Sequence, residues 1–348
     1  MTPRGKLAIY WAAGCGGCEI GILAINEKIL DVTAAFDLVF CPCLVDTKAR
    51  DIEAMEDGDI DVCLFNGGIR NSEQEYMAQL LRKKSKALIA FGSCAHEGCI
   101  PGLANLHSKE EILHTVYNDS DSNDNPNGTR PKTQTSVEGC TLHLPEFYDS
   151  VRTLGQTVAV DYYLPGCPPE PDRIMDAVGA IVSGALPAPG TVIGSTTTVC
   201  DDCSRNRNEK TINKFYRTWE IIPNADDCLL EQGLICSGIA TRAGCGARCP
   251  TVNSPCIGCY GPADGVKDFG ARMMSALASV IDADTPEDAE RIISAGIPDP
   301  IGTFYRFGLA HSLLQGRARR EEPASVDSAN EPRAEQVAGP EGDSHATN

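Results

Sequence analysis

Twelve of the seventeen cysteines in this 348-residue chain fall into a pattern that ties its folding to metal. Four are spread over the N-terminal half: Cys15 and Cys18 in a C-x-x-C motif, Cys94 in Gly92-Ser93-Cys94, and Cys167 in Pro165-Gly166-Cys167-Pro168-Pro169. The other eight lie between residues 200 and 259: Cys200, Cys203, Cys228, Cys236, Cys245, Cys249, Cys256 and Cys259. A 4Fe-4S cluster needs four thiolates converging on one point. Four cysteines plus eight suit three such clusters.

Hydrophobic residues make up 42% of the chain, enough for an ordinary core. The formal net charge of −18 argues against a nucleic-acid partner, which calls for basic surface. Residues 1–11 do not read as a signal peptide, and there is no twin-arginine leader. No apolar run is long enough to span a bilayer, so neither membrane insertion nor export is expected and the location should be cytoplasmic. In that reducing compartment, many cysteines mean metal or redox chemistry rather than disulfides.

The first half alternates apolar strands with helical stretches, as a parallel α/β sheet does. Strands are expected at 7–11, 36–40, 61–65, 87–91 and 161–164. Helices are expected at 19–30, at 72–84 with Ser72 as cap, and at 171–185. Residues 118–139, rich in Asn, Asp, Ser and Pro, read as a long surface loop. The stretch 185–194 reads as an inter-domain crossing. This divides the chain into an α/β domain at 1–190, a cysteine-rich irregular domain at 191–315, and a disordered acidic tail at 316–348. The second domain has few strands and little expected core, so metal should supply much of its folding energy. Short helices are expected there at 286–295, capped by Thr285, and at 304–314.

Ligand sites in open parallel sheets lie beyond the carboxyl ends of the strands. Cys15 and Cys18 follow the first predicted strand, Cys94 the fourth and Cys167 the fifth. Three distant segments therefore bring four thiols to one edge. The surrounding glycines let backbone fold tightly there, and the helix beginning near Glu19 can aim its N–H groups at negative charge. Among the eight C-terminal cysteines, one division by neighbouring sequence is 200, 203, 228 and 236 against 245, 249, 256 and 259. Spacing alone leaves zinc open, because two four-cysteine zinc sites would use the same eight residues.

Longer motifs narrow the choice. They are Gly14-Cys-Gly-Gly-Cys-Glu19, Gly92-Ser-Cys-Ala95 with Ile100-Pro-Gly102, Leu144-Pro-Glu-Phe-Tyr148 and Asp161-Tyr-Tyr-Leu-Pro-Gly-Cys-Pro-Pro169. Cys228-Leu-Leu-Glu-Gln-Gly233, and Cys249-Pro250 leading into Pro255-Cys-Ile-Gly-Cys-Tyr-Gly-Pro262, complete the series. In this order they resemble the small, electron-transferring subunit of nickel–iron hydrogenases. The likeness is greatest to the cytoplasmic methyl-viologen-reducing type, which does not reduce deazaflavin coenzyme.

The resemblance implies a flavodoxin-like first domain and an irregular iron–sulfur domain. It implies that Cys15, Cys18, Cys94 and Cys167 hold a proximal 4Fe-4S cluster beside the nickel–iron site of a large-subunit partner. Cys249, Cys256 and Cys259 match medial ligands, and Cys200, Cys203, Cys228 and Cys236 match the distal set. The respiratory branch has histidine where Cys200 stands and often only three medial cysteines; here Cys245 is the expected fourth. No catalytic residue is expected in this chain. Electrons from dihydrogen would leave through a ferredoxin-like adaptor to a heterodisulfide-reductase-type complex. The competing readings are a deazaflavin-reducing or NADP-linked relative and, in another class, a zinc-binding structural module. The complex I homologue and the short NAD-linked small subunits lack the eight C-terminal cysteines.

Other residues carry two readings each. Cys41 and Cys43 are a redox or partner contact, or plain buried and loop residues. Cys63, mid-strand, reads as core. Cys99 and Cys140 fall in loops, with Cys99 either lining the proximal site or structural. Glu19 is a proton relay or tuning group, or a helix cap. His96 donates to a cluster sulfur, or simply packs.

Overall fold

The computed structural model describes residues 4–314. The tail expected at 316–348 lies outside the described residues. Six parallel strands form the main sheet: β1 Gly5–Trp11, β2 Phe36–Phe40, β3 Ile60–Asn66, β4 Ser85–Phe91, β5 Tyr162–Leu164 and β6 Thr191–Val192. Their spatial order is β2-β1-β3-β4-β5-β6, the flavodoxin-like order with one added edge strand.

The strands are buried on both faces, as a helix-covered parallel sheet demands. Successive side chains point to opposite faces. Leu7, Ile9, Val62, Ile89 and Phe91 therefore enter one core, while Ala8, Tyr10, Cys63, Phe65, Leu88 and Ala90 enter the other. Cys63 is fully buried, in keeping with its place mid-strand.

Helical boundaries differ from the sequence-based expectation where a backbone reversal intervenes. The stretch 19–30 is not one helix: Gly17–Leu23 is followed by a 3-10 turn at Asn26–Lys28 and a second helix at Ile29–Ala35. Asn26 sits at a φ of +56°, a left-handed state that asparagine tolerates better than most residues. The helix Ser72–Lys84 is capped by Asn71 rather than Ser72, the Asn71 side chain accepting the Gln74 amide at 2.9 Å. Helix Pro171–Ser183 stops at Gly184, whose φ of +68° ends it in the usual glycine manner. Within the loop expected at 118–139 begins an exposed hairpin, Gln134–Val137 paired with Cys140–His143.

The C-terminal region holds more core than its composition suggested. Ile212, Phe215, Leu230, Met273, Leu277, Ile292, Ile297, Phe304 and Leu309 form a buried cluster, and Leu103 and Leu106 pack onto it. The unexpected helix Phe269–Ala278 supplies two of its members, Met273 and Leu277, and packs Phe269 against it. Helix Pro286–Gly296 is capped by Thr285 as expected. The single helix expected at 304–314 is instead Pro300–Phe304, capped by Asp299, and a separate turn at Leu309–His311. Asp299-Pro300 is a strong helix start, and it moves the helix one turn earlier.

Candidate metal centres

The order reversal between β1 and β3 opens a crevice at the carboxyl end of the sheet. Cys15 and Cys18 stand there, in the turn after β1 and the first turn of the next helix. The segments after β4 and β5 are tied together: the Gly92 amide donates to Leu164 O at 2.8 Å, and the Ser93 amide to Gly166 O at 2.8 Å. That pairing carries Cys94 and Cys167 to the same place. Gly92, with a φ of +84°, leaves Cys18 Sγ the space a Cβ would fill. Burial, then the neighbouring Cys94, Glu19, Cys167 and Cys15, push the Cys18 thiol far up. The four thiols are thus close enough to repel one another as anions.

A fifth thiol joins them. Cys99 is fully buried, and its Sγ lies 3.6 Å from Cys167 Sγ. This hydrogen bond lowers the Cys167 thiol to about 7, against the opposing effect of burial. The only sequence signal was a cysteine five residues beyond Cys94.

The C-terminal cysteines form two neighbourhoods that meet at Cys236, which also lies beside Cys256. Cys200, Cys203, Cys228 and Cys236 line one open pocket with Arg205 and Arg207. Burial and then Cys228 are the leading causes that push Cys200 up to about 12. Gly238 lies so close that a Cβ on it would stand 3.3 Å from Cys200 Sγ. In the second group, Cys259 is pushed up to about 12 by burial, then by Cys256, Cys245, Cys167 and Cys249. Backbone amides of Ala247 and Arg248 face Cys245, and that of Gly258 faces Cys256. Ala247 adopts a φ of +49° to present its amide there.

The three groups adjoin end to end. Ser93 Oγ, beside Cys94, donates to Cys259 O at 2.6 Å. The Cys256 amide donates to Cys236 Sγ at 3.3 Å. Among the described residues, no three His, Cys, Asp or Glu side chains close on one point as a lone metal ion requires. The all-sulfur donor sets, the Cβ-free approaches and the amides facing sulfur fit iron–sulfur groups.

The remaining candidates are placed as follows. Glu19 accepts a hydrogen bond from Asn66 Nδ2, which also donates to Tyr10 O at 3.1 Å, and its other oxygen is buried without a partner. His96 is buried, its Nε2 3.1 Å from Glu97 Oε1 and its ring 4.7 Å from Tyr163. Cys41 Sγ and Cys43 Sγ are 3.5 Å apart, Cys41 buried and Cys43 exposed. Cys140 is exposed on the hairpin. A larger cavity, lined by His96, Glu97, Arg242 and His311, has no cysteine in its walls. Arg205, which carries no motif in the sequence, is buried under the four-thiol pocket and donates to the carbonyls of Pro250, Asn224 and Asp227 at 2.9, 2.7 and 2.9 Å.

Residues 15–181 match the family model described as NADH ubiquinone oxidoreductase, 20 Kd subunit, a span that ends before the eight C-terminal cysteines. The iron-sulfur subunit of the F420-non-reducing hydrogenase of Archaeoglobus profundus is 40% identical over 315 residues, covering 89% of this chain and 97% of that one. The chain belongs to the family of F420-non-reducing hydrogenase iron–sulfur subunits. The corresponding vhu subunit of the F420-non-reducing hydrogenase of Methanocaldococcus jannaschii is 38% identical over 319 residues, 92% of this chain and 100% of that one. A solved NiFeSe hydrogenase from Dm. baculatum aligns with a TM-score of 0.46 and 18% identity, over 76% of this chain and 96% of that one. Members of this family are small subunits of nickel–iron hydrogenases, so this chain is an oxidoreductase component of a complex. Among the described residues no helix is long and apolar enough to cross a membrane.

Proposed function

We propose that this chain is a three-cluster electron relay for dihydrogen oxidation at the nickel–iron site of a large-subunit partner. In this reading Cys15, Cys18, Cys94 and Cys167 hold the proximal 4Fe-4S cluster. Cys245, Cys249, Cys256 and Cys259 hold the medial one, and Cys200, Cys203, Cys228 and Cys236 the distal one. The observation that carries it is the end-to-end adjacency of three thiol groups, linked by Ser93 to Cys259 and by Cys256 to Cys236.

Bound clusters would supply one-electron redox chemistry in series. The chain's own residues hold, bury and tune them. Buried thiols that raise one another's pKa are stable as thiolates only beside a cation, which the irons provide. Amides facing Cys236, Cys245 and Cys256 favour the negative charge on sulfur. Glu19, beside Cys18, is the carboxylate placed to tune the proximal site or pass a proton. His96 is turned to Glu97 and Tyr163, where it would act on that site only at a remove.

The exit partner in this reading is a ferredoxin-like adaptor of a heterodisulfide-reductase-type complex in the cytoplasm. It would approach the distal pocket, the end of the series farthest in connectivity from Cys15. The test is metal analysis of the anaerobically purified complex, with low-temperature EPR after dithionite reduction. About twelve irons and twelve sulfides on this chain are expected, with nickel confined to the large subunit. Stoichiometric zinc without a reducible signal would sink the relay reading and leave a structural zinc module. A three-iron signal on mild oxidation would remove Cys245 from the medial set.

A further inference from the structure

Cys99 belongs to none of the three ligand sets, yet the fold goes to some length to place it. Its φ of +47° is a state that residues with a side chain rarely adopt. Neighbouring chain holds it there. The Cys99 amide donates to Phe307 O at 3.0 Å, and the Gly102 amide to Gly98 O at 2.9 Å. Gly98, at a φ of +88°, admits Ala310 so closely that a Cβ would stand 2.5 Å from Ala310 Cβ. The segment 307–310, more than two hundred residues away in sequence, therefore clamps this turn.

The clamp aims a thiol at sulfur. Cys99 packs with Cys94 and Phe307, with Cys259 at the edge of the same cluster. Its hydrogen-bond partner is the sulfur of Cys167, at 3.6 Å, and Cys94 packs beside it. It thus reaches two proximal thiols from the side on which the medial group begins. Strained backbone held by distant contacts is a feature of functional sites rather than of filler in a core.

We propose that Cys99 is a positioning residue of the proximal site, its S–H donating to the ligand sulfur of Cys167 and holding that site's reduction potential up. The role rests on the proximal assignment made above. Ligand sulfurs gain negative charge when a cluster is reduced, so a donor aimed at them stabilises the reduced form more than the oxidised one. Cys15, Cys18, Cys94 and Cys167 already complete a ligand set, which leaves Cys99 free to donate.

The experiment is a redox titration of the intact, anaerobically purified complex, followed by EPR and accompanied by an iron count. In Cys99→Ala the proximal signal is expected to titrate at lower potential than in the wild type, with iron unchanged. Cys99→Ser, which keeps a donor, is expected to fall between the two. Cys99→Gly accepts the φ of +47° without strain and repeats the loss of the donor if Cys99→Ala does not assemble. An unshifted potential at full iron content would reduce Cys99 to packing. Loss of about four irons per chain in both donor-free variants would make Cys99 a ligand and overturn the donor role. A wild-type complex without reducible clusters would overturn the proximal assignment itself, which the wild-type titration reads before any variant is compared.

Discussion

Ser93 Oγ donates a 2.6 Å hydrogen bond to the carbonyl of Cys259 and lies 3.3 Å from the Gly166 amide, which donates to it. One buried hydroxyl thus ties the segments carrying Cys94 and Cys167 to the one carrying Cys259. Ser93→Ala leaves a buried carbonyl and a buried amide without this partner, at a cost of about 1–3 kcal/mol. The expected result is a lower denaturant midpoint with an unchanged slope. On the proposed three-cluster reading, electron transfer between the first two clusters should slow while their iron content stays intact.

Gly92→Ala is expected to be more severe. The residue sits at a φ of +84°, and its Cβ would collide with Cys18 Sγ and stand 3.4 Å from Gly166 O. Neither neighbour retreats freely, since Gly166 O accepts from the Ser93 amide and Cys18 lies in the helix Gly17–Leu23. On the three-cluster reading, the variant should lose the proximal site selectively, so iron falls by about a third and the other two EPR signals remain.

Arg205→Lys tests the distal pocket. The guanidinium reaches three carbonyls and Asn253 Oδ1 from beneath that pocket. A lysine ammonium lacks the planar fork and cannot make all of these bonds. Charged hydrogen bonds are worth about 1.5–3 kcal/mol each, so even partial loss should loosen residues 200–228. On the same reading, faster release of distal iron to a chelator, with proximal and medial iron retained, is the expected readout.

The Glu75 carboxylate gives stability a pH dependence. Burial raises its pKa, but hydrogen bonds from Arg152 and Tyr148 outweigh that effect and hold it below the usual value. Tyr148 donates at 2.6 Å and Arg152 Nη2 lies 3.0 Å away, so strand Phe147–Arg152 is pinned to helix Ser72–Lys84. A depressed folded-state pKa adds stability above the unfolded value and loses it as pH falls through the folded one. Glu75→Gln should therefore lower stability by roughly 1 kcal/mol at neutral pH. It should also flatten the decline below about pH 4.5, measured by denaturant unfolding across pH.

Much of this architecture was legible in the sequence because its signals are local. Five of the six sheet strands stand out as short apolar runs between turn residues. The sixth, Thr191–Val192, is two residues long and pairs only where β5 offers an edge. The helix near Glu19 was overextended because an amphipathic pattern does not reveal the reversal at Asn26. The helix Phe269–Ala278 stands among Gly- and Cys-rich segments that read as irregular, although its Met273 and Leu277, one turn apart, share the face that packs into the core.

The sequence by itself determined the cysteine inventory, the C-x-x-C turns, the glycines that allow close approach, and the alternation that buries β1, β3 and β4 on both faces. Each depends on residues within a few positions of one another. Tertiary structure alone decided the contacts that brace these thiols and join the groups to one another. Cys99 faces Cys167 across sixty-eight positions, and Ser93 reaches Cys259 across one hundred and sixty-six. Arg205 braces its pocket from carbonyls nineteen to forty-five residues away. Such contacts follow from strand order and the packing of whole segments. No local pattern encodes them, because the chain must close each of those loops before the partners are neighbours at all.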